Sequence, residues 1–546
     1  MKIKSADMIL KNGRFLTMET PNEMADAVAV ENDRIIYVGS EQDAMQFADG
    51  NTEIVDLHGK VAAPGLIDCH THPMSSCTTR FCGPNFRGTT SITALLDGIR
   101  EAAAKTPKGE WIVARGFDES KLQDFSSPMS AEILDQATTD HPVLLYRTCG
   151  HIAILNTMAM EKSGFTDASE DPAIGGGHFF KDSNGHLTGM ISGSVTSRVP
   201  YKTPTDTERA NAMILGVQRD FFKNGITATA EMGSVARNFR LLQKLDNENK
   251  LKLRIGFYFT GRRRAGGAEP VAQRLQEVGL LPGFGTDHLS FLGIKFVMDG
   301  STGGKTAAFS IPYVGEPTNY GELYNDQRAL NEDVLKSAKA GIQISIHAIG
   351  DRAIESALES IEYAHANGVD ITKCRVRLEH LESPTPDQIE RIQRLNIAVG
   401  LSSAFIYSLG DSHLAALGYD RLIDAFPAKT LMDHGITVAC NSDCPVCDVN
   451  PMYGIYSMVT RTTEKGQSFG GKKEAVDRLC ALKSYTKDAA YLLHKEDVLG
   501  TLTVGKMADI AVFDQDFLTV PDEELKDVSF YMTISGGEIV YQKSES

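Results

Sequence analysis

Eight apolar runs recur through the middle of the chain, and each ends in polar residues followed by a helical pattern: VAAPGLIDCHTH, GITATAEMG, LKLRIGFYF, LSFLGIKFVMDG, GIQISIHAIGD, RVRLEHLE, NIAVGLSS and ITVACNSD. Near-continuous apolar runs of this length predict strands buried on both faces of a parallel sheet. Between them, AIESALESIEYAHANG places Ile354, Ala357, Leu358 and Ile361 at helical spacing, and PDQIERIQRLN does the same with Ile389, Ile392 and Leu395. Eight strands alternating with helices predict a closed (β/α)₈ barrel over residues 65–497. The two ends of the chain have another texture. DMILKNGRFLTM, AVAVENDRIIYVG and TEIVDLHG near the start, and ADIAVFD and VSFYMTISGGEIVYQ near the end, are short strand-like runs separated by turn residues. Gly536-Gly537 marks a hairpin in the last of them. Either end alone has too few strands for a stable unit, so residues 1–64 and 498–546 are expected to build one β unit together.

About 150 residues separate the first barrel run from the second. A single βα loop is never that long in a compact domain. Residues 75–210, which hold the one tryptophan in GEWIVARGFDES and a strand candidate in HPVLLYRTCGH, are read as an insertion covering the barrel mouth. The length of 546 residues would suggest three or four domains, but barrels run large, so two or three units fit better.

Composition narrows the function. Hydrophobic residues make up 42% and charged residues 23%, which is ordinary globular usage. Lys plus Arg number 55 against 71 Asp plus Glu, a net charge of −16. Such a chain repels phosphate backbones and shows no basic stripe, so nucleic acid is not an expected partner. Nine cysteines are too sparse for a disulfide framework. MKIKSADMILKNG has no apolar core of a secretory signal, and no run approaches 18 apolar residues. The expectation is a cytoplasmic protein, not in a membrane, acting on a small molecule. The sequence leaves room for a homo-oligomer.

Functional side chains of a barrel sit at the C-terminal ends of its strands. The first run ends in His70-Thr71-His72, and residues i and i+2 of a strand face one side, so both imidazoles can aim at one ion. The fifth run ends at His347, the sixth at His380 and the eighth at Asp443. The fourth carries Lys295 inside an apolar stretch, where an ammonium needs a partner or a chemical change. Any one of these has an ordinary structural reading. Together, four imidazoles and a carboxylate at converging strand ends suit one or two zinc or similar first-row ions. Cys440, Cys444 and Cys447 bracket Asp443 without a partner cluster and read as packing, and Cys69 faces away from His70. Asp351 reads as a helix cap. His151 and Asn156 belong to the insertion and either reach the substrate or stitch the insertion together. Arg461, after the eighth run, is a pocket candidate, whereas Arg262, Arg263 and Arg264 read as a solvated loop.

PGLIDCHTHP followed by HAIGDRA, RLEH and NSD resembles the metal-dependent amidohydrolase superfamily. GHIAILNTMAM, KFVMDGSTGGKTA and VGKMADIAVFD resemble in particular the amidohydrolase 3, or YtcJ-like, group, which includes N-substituted formamide deformylases. The resemblance covers essentially the whole chain. It implies a distorted barrel, a composite β-sandwich from both termini and a zinc-type hydrolase of a non-peptide C–N bond. It also implies that His70 and His72 hold the more buried metal. Lys295 would be carboxylated and bridge two metals, His347 and His380 would hold the second, and Asp443 would bind metal and shuttle protons. The second run departs from the family pattern, ending in AEMG rather than His-Asp before Met-Gly, which leaves the role of Glu231 open. The mechanism expected is attack by a water whose pKa the metal lowers towards about 7. The alternatives are an aminohydrolase of a ring substrate, which needs no strand-four lysine, and a regulatory protein that kept the fold.

Overall fold

The computed structural model describes residues 5–20, 23–125, 127–148, 152–172, 177–261 and 271–544. The chain divides into two compact units, one of residues 1–73 with 217–546 and the other of residues 74–216.

In the first unit the eight apolar runs form eight parallel strands: β1 (Leu66–Thr71), β2 (Ile226–Ser234), β3 (Arg254–Thr260), β4 (Leu289–Val297), β5 (Gln343–Ala348), β6 (Arg377–His380), β7 (Ala398–Leu401) and β8 (Val438–Cys440). They hydrogen-bond in sequential order from β1 to β8. Almost every residue of these strands is buried, which explains why they read as unbroken apolar runs rather than as alternating ones. The last gap is closed past the strand ends: the Asp443 amide donates to the His70 carbonyl at 3.0 Å, and the His72 amide to the Cys444 carbonyl at 2.7 Å. The Asp68 carboxylate adds to this seam by accepting from the Ser442 hydroxyl at 2.6 Å. The intervening helices follow the sequence periodicity. Asp351–Ala366 buries Ile354, Ala357, Leu358 and Ile361. Pro386–Arg394 starts on a reciprocal Thr385/Gln388 capping box with Pro386 in its first turn. Asp351 is the first residue of its helix rather than its cap, which is Gly350, and its carboxylate accepts from the Ser310 amide at 2.8 Å.

Both ends of the chain contribute to one pair of sheets. The N-terminal strands Arg34–Gly39, Ala27–Glu31, Met8–Lys11 and Glu53–Asp56 form a four-stranded sheet in that order. A six-stranded sheet interleaves the termini, because Val61–Pro64 pairs antiparallel with Ile510–Phe513 and parallel with Arg14–Leu16. One apolar layer lies between the sheets, with Leu10, Val28 and Val30 from one and Phe15, Ile510, Val512 and Ile534 from the other. Gly536 and Gly537, both at positive φ, turn the hairpin between Phe530–Ser535 and Glu538–Gln542. The sandwich is fastened to the barrel by a buried ion pair, Arg254 of β3 with Asp509, at 2.9 and 3.1 Å.

The second unit holds a five-stranded sheet, in which Val143–Arg147 is flanked by Ile112–Phe117 and Ile152–Leu155. Val143 and Leu145 enter one apolar cluster while Leu144 and Tyr146 enter another, so helices and loops cover both faces. Among the described residues, no helix is long and apolar enough to cross a membrane, and the eight described cysteines form no disulfide.

Deleting residues 500–546 removes the strand that pairs with Val61–Pro64 and six of the fifteen buried residues of the shared apolar layer. The truncated chain is expected to be insoluble. Recovery of soluble, monodisperse protein on size exclusion would show that the N-terminal strands stand alone.

Candidate metal centre

His70, on the last turn of β1, and His72, just beyond it, alternate with Thr71 and project to one side of the chain. Opposite them, Asp443 sits at φ +52, a left-handed step three residues past β8 that carries its carboxylate back to β1. Asp443 Oδ1 lies 3.1 Å from His72 Nε2 and 3.4 Å from His70 Nε2. One donor atom from each of the three falls within 4.8 Å of the others, the arrangement a single cation needs. Lys295 of β4 points its amine into this group, with Nζ 3.2 Å from His70 Nε2. Burial lowers the Lys295 amine to about 8, assisted by the nearby Arg377 charge. Burial, then Lys295, lowers His70 to about 4. Burial would raise Asp443, but His70, His72 and Lys295 prevail and hold it below the usual carboxylate range. Glu231, buried at the end of β2 and paired in register with Thr71, favours the charged form of His72.

His347 and His380 form a second pair beside the first, with ring centroids 4.4 Å apart, and His380 lies 4.9 Å from His70. An extended strand would send Glu379 and His380 to opposite faces. His380 at φ +70 and Leu381 at φ +46 break that alternation and swing the imidazole towards His70. Each ring has one nitrogen tied. His380 Nδ1 is 2.7 Å from Ser402 Oγ, whose own proton goes to Asn441 Oδ1 at 2.8 Å, so Nδ1 donates and Nε2 is left with its lone pair. His347 Nε2 faces the Gly300 carbonyl at 3.0 Å and Asp299 Oδ1 at 3.3 Å, both acceptors, which leaves Nδ1 as its electron-pair donor. Asp299 does not pair with Lys295. Its carboxylate takes up the amides of Ala308, Ile349 and Gly350 and so braces the loops after β4 and β5.

Two charged residues that the sequence reading passed over complete the interior. Glu379 Oε2 lies 2.7 Å from His70 Nδ1, and Arg377 holds the same carboxylate with two donors. Both side chains are wholly buried. Burial would raise Glu379, but the Arg377 charge first, then His70, hold it well below the usual carboxylate range. The signal was present in RVRLEH: two opposite charges, i and i+2, inside an apolar strand cannot stay buried without satisfying each other.

The substrate-contact expectations fare differently. His151 and Arg262, Arg263 and Arg264 lie outside the described residues. Asn156 is fully buried and caps the helix Thr157–Ser163. Its Oδ1 accepts from the amides of Ala159 and Val143, and its Nδ2 donates to the carbonyls of Thr138 and His141. Nothing of the amide is left for a ligand, so Asn156 stitches the insertion instead. Arg461 ends the helix Pro451–Thr460 at φ +55 and is likewise buried. Its guanidinium donates through its terminal nitrogens to the carbonyls of Leu422, Ala425 and Phe426 and lies over the Phe469 ring, while Nε stays buried without a hydrogen-bond partner among the described residues. Cys69 packs among Ile67, Ala228 and Ala230.

Asn156→Ala is therefore expected to destabilise the protein by about 1–2 kcal/mol through loss of a buried cap. Urea unfolding measures this, and a variant of unchanged stability would return Asn156 to the ligand-contact candidates.

The geometry has counterparts in known proteins. The sequence model of the Amidohydrolase family matches residues 53–541. The YtcJ protein of Bacillus subtilis (strain 168) is 28% identical over 98% of this chain and 99% of its own length. The N-substituted formamide deformylase of Arthrobacter pascens is 23% identical over 99% of both chains. Among solved structures, an uncharacterized metal-dependent hydrolase from Pyrococcus horikoshii OT3 superposes with a TM-score of 0.76 at 25% identity, covering 94% of this chain and 99% of that one. Since the family match takes in the eight barrel strands, the residues at their mouths and β strands from both ends of the chain, this protein belongs to the amidohydrolase family.

Proposed function

We propose that this protein is a metal-dependent hydrolase that cleaves a non-peptide C–N bond, an amide or a formamide, of a small molecule. The observation that carries the reading is the convergence of His70, His72 and Asp443 donors within 4.8 Å, with the Lys295 amine beside them. Imidazole nitrogens and carboxylates are the donors that suit zinc and similar first-row ions, so the residues fit the group. His70, His72 and Asp443 would hold one ion. His347 through Nδ1 and His380 through Nε2 would hold a second. An unmodified ammonium at Lys295 would repel both. Addition of carbon dioxide to the neutral amine forms an N–C bond, releases one proton and leaves a carbamate whose two oxygens can serve both ions. The resemblance to a protein named a formamide deformylase supports the choice of bond.

A divalent ion at this site supplies Lewis acidity towards a carbonyl and acidifies water. The protein's own groups do the rest. Asp443 faces the same space as His70 and His72, and its carboxylate is placed to accept the proton of the attacking water and to pass it to the departing nitrogen. The amide and one water yield a carboxylic acid and an amine. His70 and His380 are buried, while His72 and His347 are partly exposed and open the centre to a substrate.

Purified protein is expected to contain one or two zinc-like ions per chain, and His70→Ala or His347→Ala to lower that content. Elemental analysis reads it, and full occupancy in both variants would refute the ligand assignment.

The activity is tested by hydrolysis of a panel of formamides, N-acyl amines and cyclic amides with zinc-loaded protein. Turnover with release of an amine is expected. Ammonia released from ring substrates alone would select an aminohydrolase, and no turnover with any panel member would select a regulatory protein. Lys295→Ala is expected to lose at least one metal and most activity, with partial recovery when short carboxylic acids are added. An unmodified Lys295 in crystals grown with bicarbonate and excess zinc would leave a single-metal enzyme.

A further inference from the structure

Glu379 touches the candidate metal ligand His70 at 2.7 Å through Nδ1, the nitrogen facing away from the metal space. Its four contacts account for both oxygens. Oε1 accepts from the Ser345 hydroxyl at 2.7 Å and from Arg377 Nε, while Oε2 accepts from Arg377 Nη2 at 3.0 Å and faces His70 Nδ1 at 2.7 Å. Arg377 is fixed in turn by the Cys69 carbonyl at 2.9 Å and the Tyr258 hydroxyl at 3.3 Å. Tyr258 donates to Gln343 at 2.6 Å. The network thus joins β1, β3, β5 and β6 below the strand ends.

A buried ion pair is weak evidence of stabilisation, since apolar residues of the same volume often do as well. The Arg377–Glu379 pair therefore calls for another reason. A carboxylate can only accept, so His70 Nδ1 carries a proton, and in the neutral ring Nε2 then presents its lone pair. That lone pair points at the space shared with Lys295 Nζ, 3.2 Å away, and Asp443 Oδ1, 3.4 Å away.

We propose that Glu379 is a positioning residue for metal binding: it locks His70 in the Nδ1–H form with Nε2 turned to the ion, and Arg377 and Ser345 hold Glu379 in place for it. The proposal rests on the metal reading given above. Partners of this kind behind a ligating histidine are worth about 10–100-fold in metal affinity. Ser345 bonds the oxygen that does not face His70, so its removal loosens the carboxylate without removing a charge.

The test compares wild type, Glu379→Gln, Ser345→Ala and His70→Ala as full-length proteins. Zinc affinity is measured by competition with a chromophoric chelator, the visible spectrum is recorded after cobalt(II) substitution, and the Tm of each metal-free form is taken. Glu379→Gln is expected to bind zinc about 10–100-fold more weakly and to shift the cobalt spectrum, because an amide cannot serve both Arg377 and His70. Ser345→Ala should weaken zinc by a smaller factor at nearly unchanged metal-free Tm. Wild-type affinity and cobalt spectrum in both variants, with zinc lost only in His70→Ala, would overturn the proposal and make the network structural. If Glu379→Gln does not fold, Ser345→Ala decides alone: unchanged zinc affinity overturns the proposal and weakened affinity supports it. Zinc retained in full by His70→Ala would instead refute the metal reading itself.

Discussion

At the centre of the barrel a carboxylate is held with no access to water, and the arrangement of the site follows from how its charge is met. Glu379 cannot be solvated, so every lone pair that matters is given to a donor: Arg377 twice, Ser345 once and His70 once. Removing either member of such a pair leaves an uncompensated charge and costs about 3–5 kcal/mol. That penalty fixes more than two side chains. It ties the backbone of β1 to β6 through the Cys69 carbonyl, sets the plane of the His70 ring, and lets the Arg377 charge reach Lys295, whose amine burial has already lowered. A barrel interior filled by aliphatic layers would be as stable, but it would leave the histidine free to turn.

The mouth depends on a second constraint, the seam where the barrel closes. β8 is only three residues long, and the chain beyond it completes the junction with β1 through the Asp443 and His72 amides. The residues that supply closing hydrogen bonds are therefore the ones whose side chains meet at the candidate metal position. Asp443 can do both because its left-handed conformation turns the carboxylate inward while its amide points at His70. Such conformations cost energy in a non-glycine residue and persist where the surroundings over-determine them, as here. Closure of the sheet and assembly of the ligands are one event.

Much of this was legible in the sequence, and the exceptions have physical reasons. The eight strands were readable because burial on both faces makes their sequences near-continuously apolar, with buried polar residues such as Ser345 and Arg377 satisfied by partners. The composite β unit was readable because neither end alone could bury its apolar faces, and Val61–Pro64 does find its partner in Ile510–Phe513. His70 and His72 followed from strand alternation. His380 was read from its place at the end of the sixth run, although no residue type announces the break in alternation at φ +70 that brings it in. Arg377 and Glu379 were passed over because charges within a strand look like an exposed edge until their mutual satisfaction is seen. Asn156, for which substrate contact and stitching of the insertion were both open, is engaged within the insertion, and Arg461, a pocket candidate, is engaged by backbone carbonyls. Their polarity suggested a ligand, yet a helix end and backbone carbonyls take up the Asn156 amide and both terminal nitrogens of Arg461, while Arg461 Nε stays buried without a hydrogen-bond partner among the described residues.

The histidines share one design. Glu379 holds the proton on the far side of His70 by accepting from Nδ1, Ser402 does the same for His380, and the Gly300 carbonyl does it for His347 through Nε2. In each case an acceptor, for Ser402 one whose own proton is committed to Asn441, leaves the other nitrogen with a free electron pair. A buried imidazole with one proton and one oriented lone pair is a ready donor, whereas an imidazolium at the same place would be a charge without solvent. Burial already disfavours that imidazolium at His70 and His380, and each neighbouring ring disfavours it further at His380. The acceptors come from different elements, a strand residue, a residue at the end of β7 and a loop carbonyl, so no single motif encodes them. What selects them is the requirement that three rings packed within 5 Å of their neighbours each have one nitrogen tied to a defined acceptor. The substrate is under no such constraint, because it meets loops that the barrel tolerates in many forms, and fold likeness alone does not choose it.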